Sequence, residues 1–128
     1  MVWYLDTSAF LKLVAAEEES GAMRAWLAGH RPCWSSQLLR TEALRAAMRL
    51  GIDRETVAQA LDSIALILPA GPTFLAAAGL GPPTLRTLDA LHLATALELG
   101  DDLEGLVTYD ARMAEGASAA SIPVVSPS

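Results

Sequence analysis

The chain has 128 residues, of which 52% are hydrophobic and 19% are charged, and its formal net charge is −6. This length and composition exclude an intrinsically disordered chain and predict one globular domain over residues 1–128, while a single cysteine excludes an internal disulfide. The acidic balance argues against a broad nucleic-acid-binding surface, although carboxylates gathered around a cation would also make a chain acidic.

Apolar runs and helical patterns alternate along the chain, separated by capping and turn residues. The predicted elements, in chain order, are a strand over 2–5, helices over 9–14 and 20–28, a weak strand over 32–35, a helix over 37–50, a helix opening at 53, a strand over 66–68, a short helix over 73–78, a helix over 87–99, a strand over 105–108, a short helix over 111–117 and a strand over 122–125. Thr7 and Ser8 predict a polar cap for the first helix, and Ser36 predicts one for the 37–50 helix. Residues 71–83, with their prolines and glycines, predict a flexible link around the 73–78 helix. Strands alternating with helices predict parallel pairing and the α/β fold class.

Three aspartates lie where an α/β sheet would place a ligand site. Asp6 and Asp110 each follow a predicted strand, and Asp89 lies in the first turn of the 87–99 helix. Ligands of open α/β sheets bind beyond the carboxyl ends of the strands. Each aspartate also fits a simple helix-capping role. The two roles are compatible, because a helix N terminus favours the ionised carboxylate that a metal ion needs.

Glu42 lies inside the 37–50 helix and admits two interpretations. It could form an ordinary surface pair with Arg45 or Arg49. Alternatively, Leu38, Glu42 and one of these arginines share a helix face at spacings of three and four, so the carboxylate could reach a common site.

Carboxylates that converge repel one another unless a cation joins them. Mg²⁺ and Mn²⁺ prefer oxygen ligands, can hold a phosphodiester, and lower the pKa of an attacking water. The sequence has no zinc-type histidine motif, and the isolated His92 is expected to be packed or hydrogen-bonded rather than a metal ligand. The pattern therefore favours a hard divalent cation.

Four motifs resemble those of PIN-domain ribonucleases, specifically the VapC-type toxins of bacterial toxin–antitoxin pairs. They are YLDTSA at 4–9, TEALR at 41–45, RTLDALHLATA at 86–96 and VTYDARM at 107–113, followed by an apolar ending at 122–125. The resemblance spans essentially the whole chain and depends on the order and spacing of all four motifs. It implies a PIN-like three-layer sandwich, in which helices flank a short central parallel sheet.

The resemblance implies a divalent-metal-dependent endoribonuclease that cuts single-stranded RNA as the toxin of a type II toxin–antitoxin system. The acidic positions of the family correspond to Asp6, Glu42, Asp89 and Asp110, with Asp6, Asp89 and Asp110 expected to bind Mg²⁺ or Mn²⁺. Supporting roles are expected for residues beside these acids, namely Ser8 near Asp6, Thr108 near Asp110, and Arg86 and Arg112 at a phosphate. The two arginines could equally be solvated salt partners.

The resemblance also implies partners. These are the RNA substrate, a small VapB-like antitoxin whose C-terminal segment covers the site, and a second copy of the chain in a homodimer. Phe10, Leu11 and Leu13 are candidates for the antitoxin groove. Four arginines along the third and fourth predicted helices could contact an RNA backbone or could equally form a solvated face, namely Arg40, Arg45, Arg49 and Arg54. The absence of a leader and of a long uncharged apolar stretch predicts a cytoplasmic protein without a membrane span.

Other function classes fit the residues less well. A phosphoacceptor receiver domain needs paired early acids and a late lysine, but Asp6 has no acidic neighbour and Lys12 is the only lysine. A haloacid-dehalogenase-type phosphatase needs Asp-x-Asp, which the sequence after Asp6 does not provide. A catalytically inactive PIN-like module that binds RNA or a partner is the remaining alternative, and tight binding of a divalent cation would argue against it.

Overall fold

Five parallel strands form one central sheet in the computed structural model, which describes residues 1–128. The strands are β1 (Val2–Leu5), β2 (Cys33–Ser36), β3 (Ala65–Ile67), β4 (Leu103–Val107) and β5 (Val124–Val125). Their order across the sheet is β3-β2-β1-β4-β5, and every neighbouring pair runs parallel. The arrangement confirms the predicted α/β fold class.

Seven α-helices connect the strands, because parallel neighbours cannot be joined by tight hairpins. They are α1 (Thr7–Val14), α2 (Ser20–Ala28), α3 (Gln37–Leu50), α4 (Arg54–Leu61), α5 (Gly71–Ala78), α6 (Thr87–Leu97) and α7 (Ala111–Ala119). A short 3-10 turn over Gly100–Asp102 leads into β4. None of the helices has the length and apolar character that crossing a membrane would require.

Asp6 caps the first helix, and the cap predicted at Thr7 and Ser8 is wrong. The Asp6 carboxylate accepts a hydrogen bond from the backbone N–H of Ala9 at 3.0 Å, and helix α1 already begins at Thr7. The reason is geometric, since a capping side chain must precede the first turn in order to reach its free N–H groups. The first helix therefore starts directly at the end of β1.

The predicted ends of the long helix α3 are confirmed. Ser36 caps it by accepting a hydrogen bond from the backbone N–H of Leu38 at 3.1 Å. Gly51 ends it with a φ of 70°, a left-handed conformation that glycine adopts without strain. The helix therefore runs without interruption from the end of β2 to the turn into α4.

Other predicted boundaries shift by a few residues. Pro32 lies outside β2, because proline has no N–H to donate to the strand ladder. Strand β3 ends before Leu68, whose side chain is 77% exposed. Helix α6 ends at Leu97 rather than 99, β4 begins earlier, at Leu103, where it pairs with β1, and β5 is only Val124–Val125.

The sheet separates two hydrophobic clusters, which accounts for the three layers. Tyr4 and Leu106 belong to the cluster beneath α6 and α7, whereas Leu5 and Val107 belong to the cluster beneath α1, α3 and α4. Neighbouring strand residues divide in this way because successive side chains point to opposite faces. The sequence suggested Phe10 as a candidate for the antitoxin groove. Phe10 is instead fully buried in the second cluster, so it does not line a surface groove.

Candidate active site

Asp6 is held at the carboxyl end of β1 by three hydrogen bonds. One carboxylate oxygen accepts from the Ser8 hydroxyl at 2.7 Å and from the backbone N–H of Ala9 at 3.0 Å. The other accepts from the Thr108 hydroxyl at 2.5 Å. The side chain is nearly inaccessible, and this burial raises the pKa of Asp6, which the hydrogen bonds offset only in part. A nearby cation would stabilise the ionised form of such a carboxylate.

Ser8 and Thr108 join the ends of β1 and β4 around Asp6. The Ser8 hydroxyl oxygen also accepts from the backbone N–H of Tyr109 at 2.9 Å, and the two hydroxyls lie 3.2 Å apart. Thr108 was expected to support Asp110, but its hydroxyl donates to Asp6, while its oxygen accepts from the backbone N–H of Asp110 at 3.0 Å. The Thr108 hydroxyl therefore binds the side chain of Asp6 and the backbone N–H of Asp110.

Arg86 bridges the two acids at the helix starts on the other side of the site. Its Nε donates to Asp89 at 2.8 Å, and a terminal nitrogen donates to Asp110 at 2.5 Å. Asp110 also caps α7, because its other oxygen accepts from the backbone N–H groups of Arg112 and Met113. Burial opposes ionisation of Asp110, but these N–H groups and the Arg86 guanidinium hold its pKa below the ordinary value.

Glu42 reaches the site from the middle of α3 and pairs with His92, not with Arg45 or Arg49. One carboxylate oxygen, Oε1, lies 2.7 Å from His92 Nε2 and accepts from the Thr7 hydroxyl at 2.8 Å. Burial opposes ionisation here too, but the hydrogen bonds from His92 and Thr7 keep the pKa of Glu42 below its ordinary value. The glutamate is therefore ionised at neutral pH.

A polar cavity of about 90 Å³ brings these side chains together. Eight of its nine lining residues are polar or charged, and the lining consists of Asp6, Thr7, Ser8, Glu42, Arg86, Asp89, His92, Asp110 and Met113. All four predicted acids, Ser8 and Arg86 therefore share one pocket. Thr108 lies behind Asp6, and the exposed Arg112 side chain makes no polar contact.

Two residues of the pocket had no functional role in the sequence interpretation. Thr7 was considered only as a helix cap, yet its hydroxyl binds Glu42. His92 is buried and hydrogen-bonded, as predicted, but its partner is an acid of the site. The available signal was its spacing of three from Asp89, which places both residues on one face of α6.

The donor set suits a hard cation, but the side chains are not drawn tightly together. No three His, Cys, Asp or Glu side chains lie close enough to hold a metal ion directly. Instead, the guanidinium of Arg86 provides the positive charge between Asp89 and Asp110. The four acidic side chains offer carboxylate oxygens only, and such oxygens suit Mg²⁺ or Mn²⁺ better than softer metals. Residue types and charge thus fit such an ion, provided that Arg86 moves aside.

The chain is similar in sequence to known proteins along almost its whole length. The family model described as PIN domain matches residues 3–118. Ribonuclease VapC46 of Mycobacterium tuberculosis (strain ATCC 25618 / H37Rv) is 44% identical over 126 residues, covering 98% of this chain and 97% of that protein. Ribonuclease VapC47 of Mycobacterium tuberculosis (strain CDC 1551 / Oshkosh) is 35% identical over 130 residues, covering 97% of this chain and 96% of that protein.

The fold is also similar to a solved structure. A chain of a toxin–antitoxin complex from Klebsiella pneumoniae superposes with a TM-score of 0.75, covering 98% of this chain and 97% of that chain. The two sequences are only 20% identical, so this likeness concerns the fold alone.

Proposed function

The chain belongs to the PIN-domain family, in its VapC-type group, and on that premise we propose that it is a divalent-metal-dependent endoribonuclease. The proposed substrate is single-stranded RNA, and the proposed role is that of the toxin in a type II toxin–antitoxin system. One observation carries the proposal: four carboxylates from distant parts of the chain line a single polar pocket at the carboxyl ends of β1 and β4. A relative named as a ribonuclease at 44% identity supports it.

In this proposal Asp6, Asp89 and Asp110 would hold Mg²⁺ or Mn²⁺. The bound metal supplies Lewis-acid polarisation of the phosphodiester and acidifies a water. In hydrolysis the oxygen of a water bonds to phosphorus as the bond to one ribose oxygen breaks. One proton of the water passes to Glu42, and the leaving ribose oxygen takes up a proton from solvent. Ser8 and Thr108 position Asp6 through the hydrogen bonds that they donate to its two oxygens.

Glu42 is the proposed general base. It is ionised at neutral pH, and both of its donors bind Oε1, which leaves Oε2 without a protein hydrogen bond. Oε2 is therefore the atom that takes the proton of the attacking water. Proton transfer to a positioned side chain typically contributes about 10²- to 10⁴-fold to a rate.

The arginines are proposed to bind phosphate. Arg86 is half exposed and already near the acids, so its guanidinium would be free to donate to a phosphate oxygen if a bound cation neutralised Asp89 and Asp110 instead. Arg112 stands exposed at the start of α7 and could bind a neighbouring phosphate.

We extend the proposal to a VapB-like antitoxin and a second copy of the chain as protein partners, and to a cytoplasmic location.

Cleavage of single-stranded RNA by the purified chain tests this function, with Mg²⁺, Mn²⁺ or EDTA in parallel. We expect cleavage that needs the metal and that falls at least about 10²-fold in Asp6→Asn and Glu42→Gln. Asp101→Asn is the matched control, because Asp101 is an exposed acid in the 3-10 turn outside the pocket. All of these variants should keep the melting behaviour of a folded protein.

Two results would contradict the proposal in different ways. Full metal-dependent activity in Asp89→Asn would show that the acids are wrongly assigned. A folded chain that binds Mn²⁺ but cuts no RNA would favour a binding module, and capture of its bound RNA would be the next step.

A further inference from the structure

We propose that Tyr4 and His92 form a buried positioning pair that orients the Glu42 carboxylate for the reaction. This inference rests on the proposed function, since it assigns the two residues a role in aiming the general base. Neither residue touches the substrate in this scheme, and both act through Glu42.

The three side chains form one continuous row of hydrogen bonds. His92 Nδ1 lies 2.7 Å from the Tyr4 hydroxyl, and His92 Nε2 lies 2.7 Å from Glu42 Oε1. Tyr4 and His92 are 0% and 1% exposed, so water does not compete for these bonds. The row runs from the central strand β1 through helix α6 to helix α3. It therefore connects the core beneath the sheet with the acid in the pocket.

The chemistry of the row determines where each hydrogen lies. Ionised Glu42 only accepts hydrogen bonds, so His92 Nε2 must carry a hydrogen and donate it. In a neutral imidazole Nδ1 then carries none, and it accepts from the hydroxyl of Tyr4. The Tyr4 hydroxyl is fully buried, lies 2.7 Å from Nδ1, and is therefore the donor of this bond. Tyr4 thus selects the histidine tautomer that Glu42 requires.

Glu42 needs such support more than the other acids do. Asp6 and Asp110 are short side chains held by backbone N–H groups at the starts of helices, and Asp89 is held by Arg86. Glu42 lies in the middle of α3, where no free backbone N–H group is available. A free glutamate side chain loses rotamer entropy when it is ordered. His92 and Thr7 hold Oε1 in advance, so the chemical step does not bear that loss.

Kinetics of three variants test the inference. His92→Met replaces the imidazole with an apolar side chain of similar size that has no donor, and we expect kcat to fall about 10- to 100-fold with KM unchanged. His92→Gln restores a donor at the position of Nε2 and should recover most of the lost kcat. His30→Gln is the matched control, because His30 is exposed, its Nδ1 lies 2.6 Å from the Trp26 carbonyl oxygen, and it does not line the pocket. Equal kcat values in wild type and His92→Met would overturn the inference.

A double-mutant cycle distinguishes positioning from general destabilisation. Tyr4→Phe removes the donor to Nδ1, so it should lower kcat in the wild-type background and have no further effect in the His92→Met background. Additive losses in the double variant would mean that the two residues act separately, and would overturn the inference. Melting temperatures of all variants are measured alongside, so that a loss of folding is not counted as a loss of kcat.

Nitrogen NMR of the metal-free wild type gives a readout that does not depend on RNA cleavage. We expect His92 to carry its hydrogen on Nε2 and none on Nδ1, with the His30 signals identified from His30→Gln. A neutral Nδ1–H tautomer of His92 would overturn the inference even if the enzyme is active. A wild-type chain that cuts no RNA would instead contradict the proposed function and leave this test of the hydrogen-bond row intact.

Discussion

Asp6 combines deep burial with a position at the centre of the proposed metal site. Three hydrogen bonds reach its carboxylate, yet its pKa is raised because burial outweighs them. In the metal-free chain the ionised form is therefore disfavoured in the folded state. Sites that bind cations commonly accept such a local loss of stability, which ligand binding then offsets.

The pH dependence of stability should reveal this loss. A group whose pKa is raised by folding stabilises the fold below its ordinary pKa and loses that contribution as pH rises through the folded pKa. In EDTA, Asp6→Asn should therefore gain stability relative to wild type from about pH 4 upward. The gain is about 1.4 kcal/mol for each tenfold by which folding lowers the acid dissociation constant of Asp6.

Urea unfolding of both proteins at a series of pH values measures this difference. Glu42 and Asp110 have lowered pKa values and lose their stabilising contribution as pH falls, but they are present in both proteins and cancel. A stability difference that stays constant with pH would contradict the assignment of the raised pKa to Asp6.

In the proposed site, Arg86 would compete with a metal ion for the same carboxylates. Its guanidinium binds Asp89 and Asp110 together, so a cation entering between them must displace it. Arg86→Gln should therefore bind Mn²⁺ more tightly than wild type in calorimetric titration, by up to about tenfold, the equivalent of about 1.4 kcal/mol. Weaker binding by the variant would mean that Arg86 organises the ligands instead of competing for them. Arg112→Gln, which removes an unpaired arginine nearby, is the control.

At the scale of the elements, helix α3 contributes other residues beside the site in addition to Glu42. A groove of about 380 Å³ runs beside the polar pocket and shares Thr7 and Glu42 with it. Arg45 and Arg49 line this groove, both are exposed, and neither forms an ion pair with a carboxylate. One turn of helix separates them, so they are suited to successive contacts with a polyanionic strand.

Removal of both groove arginines should weaken RNA binding in a salt-dependent way. Each phosphate of a single strand that a cation neutralises contributes about 0.7 to the slope of log affinity against log salt. Arg45→Gln/Arg49→Gln should therefore reduce that slope by about 1.4 when binding is measured in EDTA, which would prevent the proposed metal-dependent cleavage. Arg54→Gln is the control, because Arg54 is exposed on α4 and does not line the groove. Equal slopes would mean that this face of α3 is simply solvated.

At the scale of the whole molecule, one sheet carries a hydrophobic cluster on each face. The clusters share strands β1 and β4, so neither can form without the other. We therefore expect residues 1–128 to unfold as a single domain, with one cooperative transition. Two separate transitions in calorimetry would contradict this.

Metal binding should raise the midpoint of that transition. A ligand that binds only the folded state stabilises it by about 2.7 kcal/mol at a concentration one hundred times its Kd. Mn²⁺ should therefore raise the Tm of wild type by several degrees and leave the Tm of Asp89→Asn nearly unchanged. Asp101→Asn should respond like wild type, because Asp101 lies outside the pocket. No shift in wild type would argue against a metal site built from these acids.

Local sequence patterns were sufficient to predict the α/β class and the ends of α3, and to recognise the motifs of the PIN-domain family. They also selected four acids that the fold brings into one pocket. These features depend on residues near one another in the chain, or on motifs read in order. Hydrophobic periodicity and capping act over a few residues, so the printed sequence contains them directly.

Only the tertiary structure showed which side chains form hydrogen bonds with the acids of the site. Thr108 contacts Asp6 across 102 positions of sequence, and His92 contacts Glu42 across 50. Which side chains meet at such distances depends on strand register and on how each helix packs against the sheet. A shift of one residue in register would turn Tyr4 away from His92, because successive strand residues face opposite sides. The sequence therefore identified the acids, whereas the packing of the sheet and helices decided which side chains hold them.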